Sequence, residues 1–150
     1  MRIVAQRVSR ASVTIGGQVK SAIGLGMMVL LGIEEADNEE DVEWLCGKLT
    51  KLRIFDDGND AMNFDINQVG GSFLVVSQFT LHALTKKGNR PSFIRAARPE
   101  QAIPLYELFV KRLQEISCRE VLTGEFGAMM EVELVNDGPV TILMDSKRKE

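Results

Sequence analysis

The stretch from Met27 to Ile33 is apolar at almost every position, and it constrains the fold more than any other part of the chain. A strand with one solvent-exposed face alternates apolar and polar residues, whereas a continuous apolar run is typical of a strand that is covered on both faces. The run is much shorter than the ~20 apolar residues that a membrane-spanning helix needs. We therefore expect a core strand with a packed layer on each side.

The remaining apolar segments predict a chain rich in strands. Ser12 to Ile15 and Gln18 to Ile23 alternate on either side of Gly16-Gly17, a pattern typical of a β-hairpin. β-Branched and aromatic residues predict another strand from Ser72 to Leu81. Further strands are predicted for residues 2–8, 53–55, 120–123, 126–136 and 140–144, and a loop for 56–60.

The first of two predicted helices follows Asn38. This residue precedes three carboxylates, and both features favour a helix N-terminus, where unpaired N–H groups attract negative charge. Apolar residues at helical spacing continue the helix to about Leu52. The residues of this stripe are Val42, Leu45, Cys46 and Leu49. We interpret Cys46 as core packing.

The second predicted helix lies in the region that starts at Pro99-Glu100. A proline inside a helix removes a hydrogen bond, so we expect the regular part to begin only near Pro104. Tyr106 is predicted at the surface or edge of this helix. Because two helices cannot cover both faces of so many strands, we predict an α/β protein of the α+β kind, with layered sheets and two helices on one outer face.

Composition limits the class of protein and its chemistry. The chain has 150 residues, 45% of them apolar and 26% charged, which suits one domain over residues 1–150. Arg2 and Arg7 interrupt the N-terminal apolar residues, so we predict no signal sequence and a cytoplasmic protein. Cys46 and Cys118 are too few for a disulfide framework, and His82 is the single histidine. We expect reduced cysteines, no metal and no cofactor.

The net charge of −3 hides a strongly basic segment. No acidic residue occurs between Asp65 and Glu100, and residues 86–98, which we call the cationic segment, contain Lys86, Lys87, Arg90, Arg95 and Arg98. A cationic strip on an otherwise acidic protein is what binding a polyanion such as RNA needs. The alternative is a solvated loop whose charges pair with acids elsewhere on the surface.

Two polar stretches interrupt the apolar strands. Residues 77–80 place three polar side chains around one aromatic ring near a strand end. Polar groups at such a position must either form hydrogen bonds within the protein or serve its function. Asn136-Asp137-Gly138-Pro139 has turn chemistry within the last apolar run, and Pro139 has no N–H for a ladder. Gly138-Pro139 either presents bare backbone to a ligand or forms an ordinary tight turn.

Both stretches, in this order and at this spacing, resemble D-aminoacyl-tRNA deacylases. The matching motifs are Ser77-Gln78-Phe79-Thr80-Leu81 and Asn136-Asp137-Gly138-Pro139-Val140-Thr141, supported by Gln6-Arg7-Val8, Arg90-Pro91-Ser92-Phe93 and Thr123-Gly124-Glu125-Phe126-Gly127. The likeness covers essentially the whole chain. It implies a three-layer β/β/α fold and a homodimeric, metal-free enzyme. This enzyme is expected to hydrolyse the ester that joins a D-amino acid, or glycine mischarged on tRNA(Ala), to the 3′ end of tRNA.

The resemblance also implies residue roles. The expected catalytic residues are Ser77, Gln78, Phe79 and Thr80, the expected chiral filter is Gly138 and Pro139 with Arg7, and the expected tRNA contacts are Lys86, Lys87, Arg90, Arg95 and Arg98. In the family the Gly-Pro peptide is cis and reaches into the site of the partner subunit. There its carbonyl oxygens exclude L-amino acids.

The chemistry of the substrate agrees with these residue types. An aminoacyl ester is already activated, so the enzyme needs chiefly to position it and to stabilise the oxyanion with N–H donors, for which the backbone amides near Gln78 and Phe79 are candidates. Thr80 is either a nucleophile or a group that orients the substrate while the ribose 2′-hydroxyl assists, as is thought for the family. His82 would share a face with Thr80 in a continued strand, and we interpret His82 as a surface or structural residue.

Two other functions stay open on the sequence alone. A non-catalytic tRNA-binding module would need only the cationic segment. The two polar stretches would then do no more than end strands and form turns. A third hypothesis is a hydrolase that acts on another activated ester. Release of the amino acid from D-aminoacyl-tRNA distinguishes the deacylase from a binding module, which would only retard the tRNA.

Overall fold

The computed structural model describes all 150 residues and confirms the α/β class. Its strands are β1 (Arg2–Ile15), β2 (Gln18–Ile23), β3 (Gly26–Gly32), β4 (Phe55–Asp56), β5 (Met62–Phe64), β6 (Ser72–Ser77), β7 (Val121–Thr123) and β8 (Glu131–Asp145). Its helices are α1 (Glu39–Lys51), α2 (Pro99–Ser117) and a short 3-10 helix, Phe79–His82. None of these helices has both the length and the apolar character that crossing a membrane requires.

Most strands belong to one mixed sheet. Its order is β2-β1-β3-β6-β7, and β8 pairs with the other side of β1. The β3–β6 and β6–β7 pairs are parallel, and the other pairs are antiparallel. The predicted hairpin is confirmed, because Ile15 pairs with Gln18 across Gly16-Gly17. Strands β4 and β5 form a separate antiparallel ribbon.

Side chains of β3 alternate between two hydrophobic clusters, as its apolar sequence predicts. Met27, Val29 and Leu31 enter the larger cluster, which the sheet shares with α1 and α2. Met28 enters the smaller cluster, which β1 and β2 close over β3 and β6. The sheet therefore curls into two layers with both helices outside one of them, and the predicted three-layer β/β/α arrangement is confirmed.

Helix α1 begins where the sequence predicts. The Asn38 side-chain oxygen accepts a hydrogen bond from the N–H of Glu40 at 2.9 Å, and the N–H of Asn38 donates to Asp41 Oδ2 at 2.9 Å. These bonds satisfy N–H groups that a helix start leaves unpaired. Cys46 is fully buried, and burial raises the pKa of its thiol to about 12, so its interpretation as core packing is confirmed.

Helix α2 differs from its prediction in two ways. It begins at Pro99, which occupies the first helical position, where a missing N–H costs no bond. It then continues through Pro104 and does not begin there. Tyr106 is buried and not at the surface, and its hydroxyl donates to Val75 O at 2.8 Å. A tyrosine can bury its ring when its hydroxyl finds such an acceptor, and helical spacing does not reveal that acceptor.

Several strand bounds also differ from the predictions. Residues 2–15 form one strand because β8 pairs along nearly all of β1, with register shifts. The strand predicted for 72–81 ends at Ser77, where the chain turns into the 3-10 helix. The two closing strands predicted after Phe126 are one strand that begins at Glu131. The strand predicted for 53–55 is shifted to Phe55–Asp56.

Candidate active site

The parallel pairing of β3 and β6 determines where the segment Ser77–His82 leaves the sheet. Ser77 lies opposite Leu31 on β3. The N–H of the next residue, Gln78, donates to Leu31 O at 2.7 Å, and the chain then enters the 3-10 helix. The predicted catalytic residues Ser77–Thr80 therefore lie at the carboxyl end of a core strand, which is where open α/β sheets place their ligands.

The start of the 3-10 helix leaves backbone N–H groups unpaired. The first bond within this helix runs from the N–H of Leu81 to Gln78 O at 3.3 Å. The amides of Phe79 and Thr80 consequently have no acceptor in the helix. Of the two amides that the sequence suggested, that of Gln78 is used by β3, so that of Phe79 is the one available to an oxyanion.

The Thr80 hydroxyl contacts an amide side chain and no base. Gln78 Nε2 donates to Thr80 Oγ1 at 2.5 Å. His82 is 1% exposed, and neither of its ring nitrogens has a hydrogen-bond partner. Burial lowers the pKa of His82, which favours the neutral imidazole. The continued strand that would have placed His82 beside Thr80 is wrong because residues 79–82 are helical, and His82 is a buried structural residue.

A cavity of about 330 Å³ opens beside this segment. Ser77, Gln78 and Phe79 line it, together with mostly apolar residues from β3, α2 and the loop before β8. In that loop Phe126 lines the cavity and packs edge-to-face on Tyr106, with ring centroids 5.8 Å apart. An apolar cavity with a few polar groups at one end suits a small molecule or the end of a larger one.

Strand β8 bends at Asn136–Val140, a segment that we call the Gly-Pro bend. Its Gly138-Pro139 peptide is cis. The Asn136 side chain closes the bend, since its Oδ1 accepts from the N–H of Val140 at 2.8 Å and its Nδ2 donates to Thr141 Oγ1 at 3.0 Å. These local side-chain bonds occur where β8 shifts its register against β1.

Arg7 anchors the Gly-Pro bend to the rest of the subunit. Its Nε donates to Asp137 O at 2.8 Å, and its Nη1 donates to Ile54 O at 2.6 Å. Its Nη2 would lie 3.1 Å from a Cβ placed on Gly138. The Arg7 side chain is 13% exposed and also forms a 3.5 Å ion pair with the Asp137 carboxylate. The structure thus brings Arg7 together with Gly138.

Within one chain the two parts of the predicted site are far apart. The bend lies opposite Arg7 on β1, and Arg7 pairs with Met27 on β3. Ser77 pairs with Leu31, which is further along β3. Four residues along a strand and three strand spacings across the sheet amount to roughly 20 Å along its surface. Neither Gly138 nor Pro139 lines the cavity.

The cationic segment is divided by its contacts. Arg95 donates from Nη2 to Glu34 Oε2 at 2.5 Å, so a buried carboxylate balances its charge. Arg98 is the N-cap residue of α2. The members without an ion pair are Lys86, Lys87, Arg90 and Arg98. These four are the cations of the segment that stay free for a ligand.

Sequence reasoning gave no role to several residues that build this region. Phe126 and Met129 line the cavity, and Met129 is 92% exposed at its edge. Asn136 closes the Gly-Pro bend. The available signals were the Thr123–Gly127 motif, which ends two residues before Met129, and the position of Asn136 two residues before Gly138. No cluster of three or more His, Cys, Asp and Glu side chains has a metal-binding arrangement.

Comparison with known proteins finds similarity over almost the whole chain. The family model described as D-Tyr-tRNA(Tyr) deacylase matches residues 4–145. A curated D-aminoacyl-tRNA deacylase of Bacteroides thetaiotaomicron is 63% identical to the chain, and the alignment covers 100% of both proteins. That of Flavobacterium johnsoniae is 59% identical over 100% of both proteins.

Two solved structures have a similar fold. A protein described as c-Myc DNA unwinding element binding protein matches with a TM-score of 0.90 and 41% identity, over 97% of this chain and 98% of that chain. A probable eukaryotic D-amino acid tRNA deacylase matches with a TM-score of 0.80 over 95% of this chain and 97% of that chain. Its identity of 16% means that this second likeness shows the fold alone.

Proposed function

Because the chain belongs to the D-Tyr-tRNA(Tyr) deacylase family and is a D-aminoacyl-tRNA deacylase, we propose that the cavity at the end of β6 is where the ester is hydrolysed. The aminoacyl group would lie in the cavity, with its ester carbonyl at the start of the 3-10 helix. The open amide of Phe79 is the observation that carries this placement. A non-catalytic tRNA-binding module does not account for the high sequence identity to curated deacylases over the full length of the chain.

The proposed reaction needs little more than a correctly positioned ester and backbone N–H donors for the oxyanion. Water attacks the ester carbonyl, the bond between the carbonyl carbon and the ribose oxygen breaks, and the ribose oxygen leaves with a proton. The Phe79 N–H, with that of Thr80 beside it, stabilises the charge that develops on the carbonyl oxygen. Removal of one such donor in other enzymes costs about 10²–10³-fold in rate, so this group alone supplies a large share of catalysis.

Thr80 orients the substrate in this proposal and is not the nucleophile. Its hydroxyl is bound by Gln78 Nε2, and no side chain accepts its proton. His82 contributes no base because it is buried without a hydrogen-bond partner. The ribose 2′-hydroxyl of the substrate is the remaining group that can assist the attacking water, so the proposed reaction is assisted by the substrate.

A second copy of the chain is proposed to complete the site. The Gly-Pro bend cannot reach the cavity of its own subunit across roughly 20 Å of sheet, whereas a homodimer can bring the bend of one subunit to the cavity of its partner. The Gly138-Pro139 carbonyl oxygens would then stand where the side chain of an L-amino acid points. D-Amino acids avoid this obstacle, and glycine, which has no side chain, avoids it as well.

The free cations of the cationic segment are proposed to hold tRNA phosphates. Lys86, Lys87, Arg90 and Arg98 fill this role better than Arg95, whose charge is balanced by Glu34. A tRNA substrate also agrees with the cytoplasmic location that the sequence predicts.

One experiment tests the reaction, the chiral filter and the shared site together. Purified protein is assayed on matched D- and L-tyrosyl-tRNA and on glycyl-tRNA(Ala), at several protein concentrations. We expect release of D-tyrosine and glycine, resistance of the L-ester, and a loss of activity per subunit on dilution through the dimer dissociation range. Equal rates on D- and L-esters would contradict the proposed chiral filter. A fully active monomer would contradict the proposed site shared between two subunits.

A further inference from the structure

A second basic surface lies on the other side of the 3-10 helix. It is a groove of about 660 Å³ between the end of α1 and the end of β8, and we call it the Trp44 groove. Trp44, Lys48 and Lys149 are among the residues that line it. The 3-10 helix separates the groove from the cavity, because Leu81 lines the groove and Phe79 lines the cavity.

The cations of the Trp44 groove are mostly uncompensated. Arg2 is occupied, since its Nε donates to Asp145 Oδ2 at 2.8 Å and its Nη1 donates to Leu81 O at 3.0 Å. The lining cations without an ion pair are Lys48, Arg148 and Lys149. Glu150 is the lining carboxylate without an ion pair. The chain as a whole has a net charge of −3, so the groove is a local excess of positive charge on an acidic protein. Such an excess favours a polyanionic ligand.

Trp44 gives this charge a specific chemistry. Its ring is half-buried, and the ammonium groups of Lys149 and Lys48 lie over the ring, 5.0 Å and 5.8 Å from its centroid. An aromatic face beside free cations is the combination with which proteins bind single-stranded nucleic acid, since bases stack on the ring and phosphates attract the cations. A double-stranded stem offers no exposed base for such a ring.

We propose that the Trp44 groove binds the unpaired nucleotides that precede the 3′-terminal nucleotide of the tRNA substrate. One base would stack on Trp44, and the adjoining phosphates would lie near Lys48 and Lys149. This inference rests on the proposed function, which places the terminal aminoacyl ester beside Phe79. From there the RNA strand needs only to cross the 3-10 helix to enter the groove at Leu81.

The first test uses Trp44 as a probe, because it is the single tryptophan of the chain. Uncharged tRNA is titrated into the full-length protein while tryptophan emission and the anisotropy of labelled tRNA are recorded. Stacking predicts quenching of Trp44 emission that saturates together with the anisotropy. Full binding by anisotropy with unchanged emission would overturn the proposal. Uncharged tRNA carries no ester, so this result does not depend on the proposed catalytic site.

The second test removes charge from the groove with the double variant Lys48→Gln/Lys149→Gln. The matched control is Lys20→Gln/Lys111→Gln, which removes the same charge from lysines outside the groove. The groove variant should lower the slope of log affinity against log salt by about 1.4, because each single-strand phosphate contact contributes about 0.7. Glu150→Gln should act in the opposite direction and tighten binding.

Activity on two substrates completes the test. KM for D-aminoacyl-tRNA should rise in the groove variant, while hydrolysis of D-aminoacyl-adenosine, which fills only the cavity, should stay at the parent rate. Lys48→Arg/Lys149→Arg should restore the parent KM because it keeps both charges. An unchanged salt slope in the groove variant, or an equal loss on both substrates that the arginine variant does not restore, would overturn the proposal.

Discussion

The segment Ser77–His82 and the Gly-Pro bend both interrupt apolar strands with polar residues, but they are held in different ways. The first is attached to the interior, because Gln78 bonds to the core strand β3 and His82 is buried. The second lies on the outer strand β8, and its hydrogen bonds come from the side chains of Asn136 and Arg7.

This difference separates stability from function. A segment attached to the core keeps its geometry as long as the fold persists, whereas a bend held by two side chains depends on those side chains alone. We therefore expect substitutions at the bend to reduce activity with little loss of stability. Substitutions at the buried end of Ser77–His82 should do the reverse.

The largest effect is expected for Arg7→Ala. This change removes the hydrogen bonds to Asp137 O and Ile54 O, so the bend can shift by an ångström or more. A displacement of that size costs about 10²-fold in rate. We expect kcat/KM for D-aminoacyl-tRNA to fall by about this factor, with a smaller preference for D- over L-esters.

Arg10→Ala is the matched control for Arg7→Ala, because Arg10 is a neighbouring β1 arginine with one exposed 3.5 Å ion pair to Glu133. It should keep the parent activity. Thermal unfolding of both variants shows whether the bend is separate from the fold. If Arg7→Ala lost stability and activity in parallel, the proposed separation of the two regions would not hold.

A smaller effect at the bend is expected for Gly138→Ala. Gly138 has φ +140°, which side chains rarely adopt, and an added Cβ would lie 2.7 Å from Val140 Cγ2. Such local strain costs about 1–3 kcal/mol, so the bend should move and kcat/KM should fall roughly tenfold. Gly24→Ala, which meets nothing within 4 Å, is the control and should be neutral. Parent-like activity of Gly138→Ala would show that the bend does not contact substrate.

Thr80→Val tests the other segment at its exposed end. If Thr80 only orients the substrate, the change removes one hydrogen bond worth about 0.5–1.5 kcal/mol, and kcat should fall by roughly threefold to tenfold. A nucleophile would instead cost on the order of 10⁴-fold or more. Single-turnover kinetics of Thr80→Val separate the two roles, because this variant removes the hydroxyl. Thr80→Ser is the control, because it keeps a hydroxyl whichever role is correct.

The smallest effect is expected in the pH dependence of stability at His82. Burial lowers its pKa below the usual 6.5, although the Glu34 carboxylate lies 3.8 Å from Nδ1. The unfolded chain therefore binds more protons than the folded protein just below pH 6.5, so this contribution is complete above pH 6.5 and is lost as the pH falls. We expect His82→Gln to lose less stability than the parent between pH 7.5 and pH 5.5.

Denaturant midpoints at both pH values measure this difference, which cannot exceed about 1.4 kcal/mol per pH unit for one group. The carboxylates Asp41 and Asp145 have lowered pKa values and also weaken the fold in acid. They are present in both proteins, so the comparison cancels them. An identical acid loss in parent and His82→Gln would show that His82 is not buried in its neutral form.

Local patterns predicted the hairpin, the core strand and the start of the first helix correctly. The apolar run of β3 predicted a strand covered on both faces, and both faces are filled. Asn38 and its carboxylates predicted the start of α1. These predictions succeeded because caps, turns and periodicity depend on neighbours within a few residues. The same motifs identified the family.

Contacts between distant parts of the chain required the tertiary structure. The sequence placed Tyr106 at the surface, but the hydroxyl finds an acceptor on β6, thirty-one residues away. It listed Arg95 with the other cations of the segment as an expected tRNA contact, and the structure pairs Arg95 with Glu34, which lies sixty-one residues away. Neither partner is visible in the local spacing of charges or apolar residues.

The sequence by itself thus determined the fold class and the family and predicted which residues carry the chemistry, and the tertiary structure decided where each of those residues lies. It showed that the Phe79 amide is open while that of Gln78 is bonded to β3. It also showed that the Gly-Pro bend lies away from the cavity of its own chain. The physical reason is that strand register and sheet curvature are set by packing over the whole core, which no short stretch of sequence contains.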